Sequence, residues 1–168
     1  MKRAVRLSIA ALLSAVASVN VLAFMQARAM TRLPRGGART GAPEQLDLLD
    51  RFTVLLSGVS IPRPSNKRTP GDLNLSFDTQ RFSNGDGAMV EAWFLPSNRA
   101  GTVVALFHGY AASKSGLLNT ARVLHQLGYA TLLVDFYGSG GSSGSGTTIG
   151  VKESRDVVAT LEYMRGTW

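Results

Sequence analysis

The chain has 168 residues, of which 45% are apolar, 8% aromatic and 17% charged, a composition typical of a globular protein with a sizeable core. Its formal net charge is +7, but 7 of the 18 basic residues and none of the acidic ones precede Pro43, so the rest of the sequence carries 11 residues of each sign. A neutral body argues against a phosphate-binding groove, and we expect no nucleic-acid partner. The absence of cysteine excludes disulfides, thiolate metal sites, a cysteine nucleophile and a lipid-modified cysteine anchor, and it leaves the redox compartment undecided.

The N-terminal segment contains an uncharged, mostly apolar run from Leu7 to Met25. As a helix this run would extend about 28 Å, close to the hydrocarbon thickness of a bilayer. It is longer than the apolar core of a cleaved secretory signal, so we predict an uncleaved single-pass anchor in contact with the lipid bilayer. A cleaved signal, with Ala27-Arg28-Ala29 as the cleavage site, is the alternative. Basic residues lie on both sides of the run and leave its orientation open.

Three segments follow from this pattern. Residues 1–30 form the anchor, residues 31–42 are rich in glycine, proline and arginine and predict a solvated linker, and residues 43–168 form the ordered part. The ordered part opens with apolar residues at helical spacing from Pro43, and Gly58 is the predicted end of that helix.

A β-hairpin is predicted next. The pattern has two runs of alternating apolar residues around a tight turn: Leu73, Leu75 and Phe77, then Asn84-Gly85-Asp86-Gly87, then Val90, Ala92 and Phe94.

Two continuously apolar runs, residues 102–107 and 131–136, predict strands that are covered on both faces in a parallel sheet. Between them a helix is predicted, with Ser113 as its N-cap and Gly128 as a left-handed C-terminal residue, and residues 151–164 predict another helix. This order of elements predicts the α/β class, with right-handed βαβ units and a parallel sheet behind the antiparallel hairpin.

Short motifs lie at the ends of these strands: His108-Gly109-Tyr110, Leu127-Gly128-Tyr129 and Asp135-Phe136-Tyr137-Gly138-Ser139-Gly140. With them, the sequence from the hairpin to Trp168 closely resembles the first part of bacterial serine α/β-hydrolases of the esterase, lysophospholipase and serine aminopeptidase type. The resemblance implies the N-terminal part of an α/β-hydrolase fold, preceded here by one transmembrane helix. For the predicted anchor in such a bacterial protein, we expect a location in the inner membrane, and of the two orientations we favour the hydrolase part outside the cytoplasm.

The resemblance assigns roles to the first motif. In the family, a backbone N–H from this loop is one of the two donors of the oxyanion hole, which stabilises negative charge on the substrate carbonyl oxygen during acyl transfer. By position that donor is Tyr110, while Gly109 lets the main chain approach the substrate closely. His108 resembles the family histidine that shapes the loop and is not the triad base.

Asp135 resembles the aspartate of the family's Asp-x-Arg-Gly-x-Gly loop, where it braces the turn, and we do not assign it to the triad. Tyr137 departs from the family, because arginine is usual at that place. An ion pair that ties the loop down is therefore expected to be missing, which puts the rigidity of the loop in doubt.

The sequence Gly140-Gly141-Ser142-Ser143-Gly144 matches the Gly-x-Ser-x-Gly motif, but its context is wrong for a nucleophile. A nucleophile elbow follows a strand directly, and a histidine must come later in the chain, whereas none follows His125. We expect Ser142 to lie in a flexible turn and His125 to be a surface or packing residue. The loop has neither the Gly-Lys-Ser/Thr ending of a P-loop nor a Gly-x-Gly-x-x-Gly run, so we expect no cofactor. The sequence also lacks clusters of metal ligands, so we expect no metal.

Two functions stay open. The first is a membrane-anchored serine hydrolase that cleaves small carboxylic esters or amides through an acyl-enzyme. This function would belong to a longer parent protein, because we expect these 168 residues to lack the nucleophile, the acid and the base. The second is a catalytically inactive fragment or a membrane-anchored binding module, whose last strand would be an exposed apolar edge.

Overall fold

A computed structural model describes residues 2–98 and 101–168 of the chain. The chain divides into two compact units. The first comprises Met1–Arg32 and Gly37–Ile61, and the second comprises Leu33–Gly36 and Pro62–Trp168. These units do not coincide with the three segments predicted above, whose boundaries stay a prediction.

The first unit is helical. It contains helix α1 (Lys2–Thr31), a 3-10 turn (Pro43–Gln45) and helix α2 (Leu48–Ser57). The helix predicted from Pro43 is interrupted, because the carboxylate of Asp47 accepts a hydrogen bond from Asp50 N at 2.7 Å and starts α2 there. Gly58, at φ +85°, ends the helix as predicted.

Helix α1 is long and apolar enough to cross a membrane, and none of its apolar window is buried. Helix α1 is therefore not buried in the core that the described residues form. An anchor and a signal sequence both fit the observation.

The second unit is a four-stranded mixed sheet with helices on both faces. Its strands and helices are β1 (Asp78–Ser83), β2 (Met89–Leu95), β3 (Val103–Phe107), α3 (Leu118–Gln126), β4 (Ala130–Asp135) and α4 (Glu153–Thr167). The strand order is β1-β2-β4-β3, with β1 and β2 antiparallel, β2 and β4 antiparallel, and β3 and β4 parallel. The predicted α/β class, with a hairpin followed by a parallel βαβα unit, is confirmed.

The hairpin is confirmed, but its first strand was predicted too early. Asp78 pairs with Phe94 and Ser83 with Met89. Strand β1 therefore begins after the alternating run Leu73–Phe77, which we had predicted to form it. The start of that run belongs to a 3-10 turn (Pro70–Leu73), which is closed by a reciprocal capping box between Thr69 and Asp72. Its apolar residues pack under the sheet instead, against the cluster around Trp93: Leu73, Leu75 and Phe77.

The two parallel strands differ in burial. Every residue of β4 is buried, because the strand lies between β2 and β3, whereas β3 is half-buried at the edge of the sheet. The expectation that both are covered on both faces is therefore wrong for β3. The expectation of an exposed last strand is wrong as well, since β4 comes last in the chain and is central.

The core lies on both faces of the sheet, with alternate residues of β4 facing opposite sides. Leu132 and Val134 pack in one cluster with Ala159 of α4. Leu133 packs in the other cluster with Leu118 and Ala121 of α3. Each helix therefore covers one face and holds the loops at the ends of β3 and β4 in place.

The helix before β4 begins differently from the prediction. A 3-10 turn (Lys114–Leu117) precedes α3, and the hydroxyl of Ser113 makes no capping bond. It donates to the carbonyl of Ser65 at 3.1 Å instead. Gly128 follows the helix at φ +91°, as predicted.

Candidate functional site

His108 follows β3 directly and joins two loops. Its side chain is buried. Nε2 accepts a hydrogen bond from Phe136 N at 3.1 Å, and Nδ1 lies 2.8 Å from the carbonyl oxygen of Gly109, to which it donates. An imidazole that accepts through one nitrogen and donates through the other is neutral, in keeping with burial, which lowers the pKa of His108. Since Nε2 is an acceptor, its 3.9 Å separation from the carboxylate of Asp135 is not an ion pair.

Asp135, the last residue of β4, is fully buried and holds three segments together. Its carboxylate accepts hydrogen bonds from Lys114 N at 2.7 Å, from Asn66 Nδ2 at 2.8 Å and from Gly141 N at 2.9 Å. The Lys114 ammonium lies 2.5 Å from the same carboxylate. Burial alone would raise the pKa of Asp135, but Lys114 and these donors lower it below its ordinary value.

Lys114 also contacts a second carboxylate, that of Glu91. Lys114 has no exposed surface, and its ammonium lies 2.9 Å from Glu91 Oε1 and 4.5 Å from the centre of the Trp93 ring. Arg81 donates to the other oxygen of Glu91 at 2.7 Å. Burial raises the pKa of Glu91, but the hydrogen bonds from Lys114 and Arg81 outweigh it and lower the pKa. Sequence reasoning missed Lys114 and its partners, because Lys114 is separated by 23 residues from Glu91 and by 21 residues from Asp135 and shares no local pattern with them.

Ser142 is part of the framework of the loop that follows β4. Its side chain is buried, donates to the carbonyl of Asp135 at 2.6 Å and accepts from Glu91 N at 2.8 Å. Because both bonds are to main chain, the hydroxyl is committed to a structural role. The motif is therefore anchored, and the expectation of a flexible turn is wrong. His125, by contrast, is half-buried on α3, and its Nδ1 makes no hydrogen bond within the described residues.

Arg63 supplies a cation to the loop in which Tyr137 stands in place of arginine. Its Nη2 lies within hydrogen-bond distance of three carbonyl oxygens, at 3.2 Å from Ser139 and 3.1 Å from Gly140, with Ser142 as the third. The loop is thus tied down by a residue from the connector before the hairpin. These hydrogen bonds, which no local signal in the sequence predicts, answer the expected doubt about the rigidity of the loop. They are bonds to carbonyl oxygens and do not replace the ion pair that was expected to be missing.

Glu153, at the start of α4, gathers the end of the same loop. Its carboxylate accepts hydrogen bonds from the Thr147 hydroxyl at 2.5 Å, the Thr148 hydroxyl at 2.7 Å and Gly150 N at 2.9 Å. Burial raises the pKa of Glu153, but the threonine and main-chain donors outweigh it and lower the pKa to about 2. The carboxylate is therefore ionised at neutral pH and fixes the wall of the neighbouring cavity.

A cavity of about 350 Å³ opens at the C-terminal ends of β3 and β4. Its lining is mostly apolar and includes the loop after β3, the loop after β4 and the first turns of α4. Three of the predicted site residues line it: His108, Gly109 and Tyr110. Asp135 is absent from the lining and lies behind it, buried under the loop. The donor role of Tyr110 stays a prediction.

The described residues contain no group of three or more metal-ligating side chains close enough to hold an ion.

Comparison with solved structures identifies the fold. An esterase of Pyrococcus furiosus superposes with a TM-score of 0.58 at 27% identity, over 64% of this chain and 42% of the esterase. An α/β-hydrolase from Vibrio vulnificus superposes with a TM-score of 0.50 at 18% identity, over 78% of this chain and 49% of that protein. An α/β-hydrolase from Penicillium gives 0.50 at 19% identity, over 56% of this chain and 34% of that one.

No protein-family model matches the chain, and no curated protein matches it significantly. The chain spans about 42% of the length of the Pyrococcus esterase. Its second unit has the architecture of the N-terminal part of an α/β-hydrolase, as the motifs at the strand ends predicted.

Proposed function

From this α/β-hydrolase fold we propose that the protein is a serine hydrolase, which cleaves carboxylic esters or amides of small acyl substrates through an acyl-enzyme. The observation that carries the proposal is the place of Tyr110. It lies immediately after the His108-Gly109 pair at the C-terminal end of β3 and lines the cavity there. Open α/β sheets bind their ligands at this edge.

Tyr110 acts in this proposal through its backbone N–H, which donates to the oxyanion that forms when a serine attacks the substrate carbonyl. The surrounding loops suit that task, because an oxyanion donor is effective only if it is held in place before the reaction. His108 fixes the loop that carries Tyr110 to the loop after β4. The buried pair of Lys114 and Asp135 fixes the latter from below.

The nucleophile, acid and base are not assigned to residues of this chain. We do not assign Ser142 as the nucleophile, because its hydroxyl is buried and bound to main chain on both sides. The similarity to the Pyrococcus esterase supports an esterase in particular, and that enzyme extends well beyond the matched part.

The proposal includes an anchor. Helix α1 would cross the bacterial inner membrane as a single, uncleaved span, with the hydrolase part outside the cytoplasm. Its support is the length of the helix and the full exposure of its apolar window, a surface that a bilayer would cover.

A membrane-anchored binding module without catalysis is the second candidate. Two observations together favour it: the cavity is formed, and the hydroxyl of Ser142 in the Gly-x-Ser-x-Gly motif is hydrogen-bonded to the main chain.

The two candidates differ in covalent reactivity. Protein expressed from its full gene should react with a fluorophosphonate probe, and peptide mass spectrometry should find the probe on a serine other than Ser142. Absence of any adduct, with the fold intact by circular dichroism, would favour the binding module.

A further inference from the structure

Helix α2 exposes an apolar stripe that nothing in the described structure covers. Five large side chains are 54% to 77% exposed, and at 100° per residue they fall on one third of the helix circumference: Leu48, Leu49, Phe52, Leu55 and Leu56. Asp50 lies on the opposite side of the same helix. A stripe of this size on a ten-residue helix marks a surface that contacts a partner or a membrane.

The place of α2 on α1 points to the partner. Gln26 of α1 donates to the carbonyls of Val54 at 2.9 Å and Leu55 at 2.7 Å, near the C-terminal end of α2. Gly58 packs so closely on Ala29 that a Cβ at Gly58 would collide with the alanine side chain. Helix α2 is therefore fixed within one turn of the end of the apolar run, the level at which a spanning α1 would leave the hydrocarbon.

The charges at this level suit lipid headgroups. Arg28 and Arg32 are exposed on the last turn of α1 and just after it, and Arg51 is exposed on α2. Arginine at the end of a span reaches to the interface and is attracted to anionic headgroups. The acidic residue Asp50, on the far side of α2, stays in water in this arrangement.

We propose that α2 is an interfacial helix, which lies in the headgroup region of the bilayer that α1 crosses and inserts its apolar stripe among the acyl chains. Amphipathic helices bind in this manner with their apolar face about 5–10 Å into the boundary. The inference rests on the proposed anchoring of α1 and adds a second membrane contact, which fixes the helix pair at the surface.

The test uses the whole chain, which has no cysteine of its own. Nitroxide spin labels are attached to single cysteines in Phe52→Cys and, as the matched control on the opposite side, Asp50→Cys. Leu12→Cys reports on the span itself, and Leu55→Cys repeats the measurement on the stripe in case one substitution perturbs α2. The proteins are reconstituted in vesicles of equal parts phosphatidylcholine and phosphatidylglycerol, and collision with oxygen is compared with collision with a water-soluble nickel complex.

We expect the ratio of oxygen to nickel accessibility to be severalfold higher at positions 52 and 55 than at position 50, and high at position 12. A high ratio at 12 together with nickel-accessible labels at 52 and 55 overturns the interfacial helix and leaves the anchor standing. Labels at 52 and 55 that are shielded from both reagents mean that protein, such as a second copy, covers the stripe, which overturns the inference too. A nickel-accessible label at 12 refutes the anchor and, with it, the inference.

Discussion

The ammonium of Lys114 lies 2.5 Å from the carboxylate of Asp135, and neither side chain is exposed to solvent. The pair joins the 3-10 turn before α3, which begins at Lys114, to the end of the central strand β4. It thereby links the two loops that border the cavity, and Lys114 N donates to the same carboxylate. A buried ion pair is costly to break from one side, because the remaining charge loses its partner.

We expect Lys114→Met to destabilise the second unit by about 3–5 kcal/mol, since it leaves the buried carboxylate of Asp135 without its cation, while Glu91 keeps Arg81. Urea unfolding followed by tryptophan fluorescence measures the loss, with Trp93 beside the ammonium as the reporter. Lys67→Met, on an exposed lysine of the connector, is the control and should change stability by less than about 0.5 kcal/mol. Equal midpoints for the two variants would show that the pair contributes nothing.

Glu153 should make the stability of the unit depend on acid pH. Its pKa is about 2 in the folded chain and near 4.5 when exposed, so its contribution is complete above about pH 4.5 and is lost as the pH falls towards 2. We expect Glu153→Gln to lose about 2 kcal/mol at pH 7 and to show a flatter fall in unfolding free energy between pH 5 and pH 2. Glu162→Gln, on an exposed residue of the same helix, should keep the slope of the unsubstituted chain. An unchanged slope in the Glu153 variant would contradict the assignment.

Arg63 should control the order of the loop after β4. Because its guanidinium contacts three carbonyls of that loop, Arg63→Met should raise the hydrogen-exchange rates of amides in residues 138–146 by about tenfold or more, the equivalent of one lost charge-assisted bond. The exposed Arg68 provides the matched variant, Arg68→Met, for which exchange should stay as in the unsubstituted chain. Unaltered exchange in both variants would mean that the loop is held without Arg63.

Ser142 should matter for stability and not for chemistry. Ser142→Ala removes a buried hydroxyl with two main-chain partners, and we expect it to cost about 1–3 kcal/mol of unfolding free energy. The control is Ser145→Ala, on an exposed serine of the same loop, for which we expect almost no change. Ester turnover by the full-gene protein should survive both substitutions at a temperature where both are folded. Loss of turnover in the Ser142 variant alone would restore it as the nucleophile.

The sequence predicts the sheet well where hydrophobic periodicity is strong. The runs around Val104 and Leu132 are continuously apolar, and both form parallel strands. Gly58 and Gly128 end helices at positive φ, as their positions indicate. Alternation misleads at Leu73–Phe77, because a capping box and the packing of these side chains under the sheet outweigh the local preference for a strand.

The supports of the site are less predictable for a physical reason. Lys114 contacts Glu91, and Arg63 contacts the loop after β4, across sequence separations of more than twenty residues. A buried lysine also looks like any surface lysine in a sequence. Family resemblance identifies His108 and Asp135, but it gives no indication that Arg63 bonds to the loop that contains Tyr137.

The central claim, that Tyr110 supplies an oxyanion donor, depends on one backbone N–H. The most direct measurement is the kcat for p-nitrophenyl esters of full-gene protein carrying Tyr110→Pro, which removes this N–H, beside Tyr110→Ala, which keeps it. We predict a loss of about 10²–10³-fold in kcat for the proline variant and a small change for the alanine variant, with both folded by circular dichroism. Undiminished turnover by a folded proline variant would contradict the assignment.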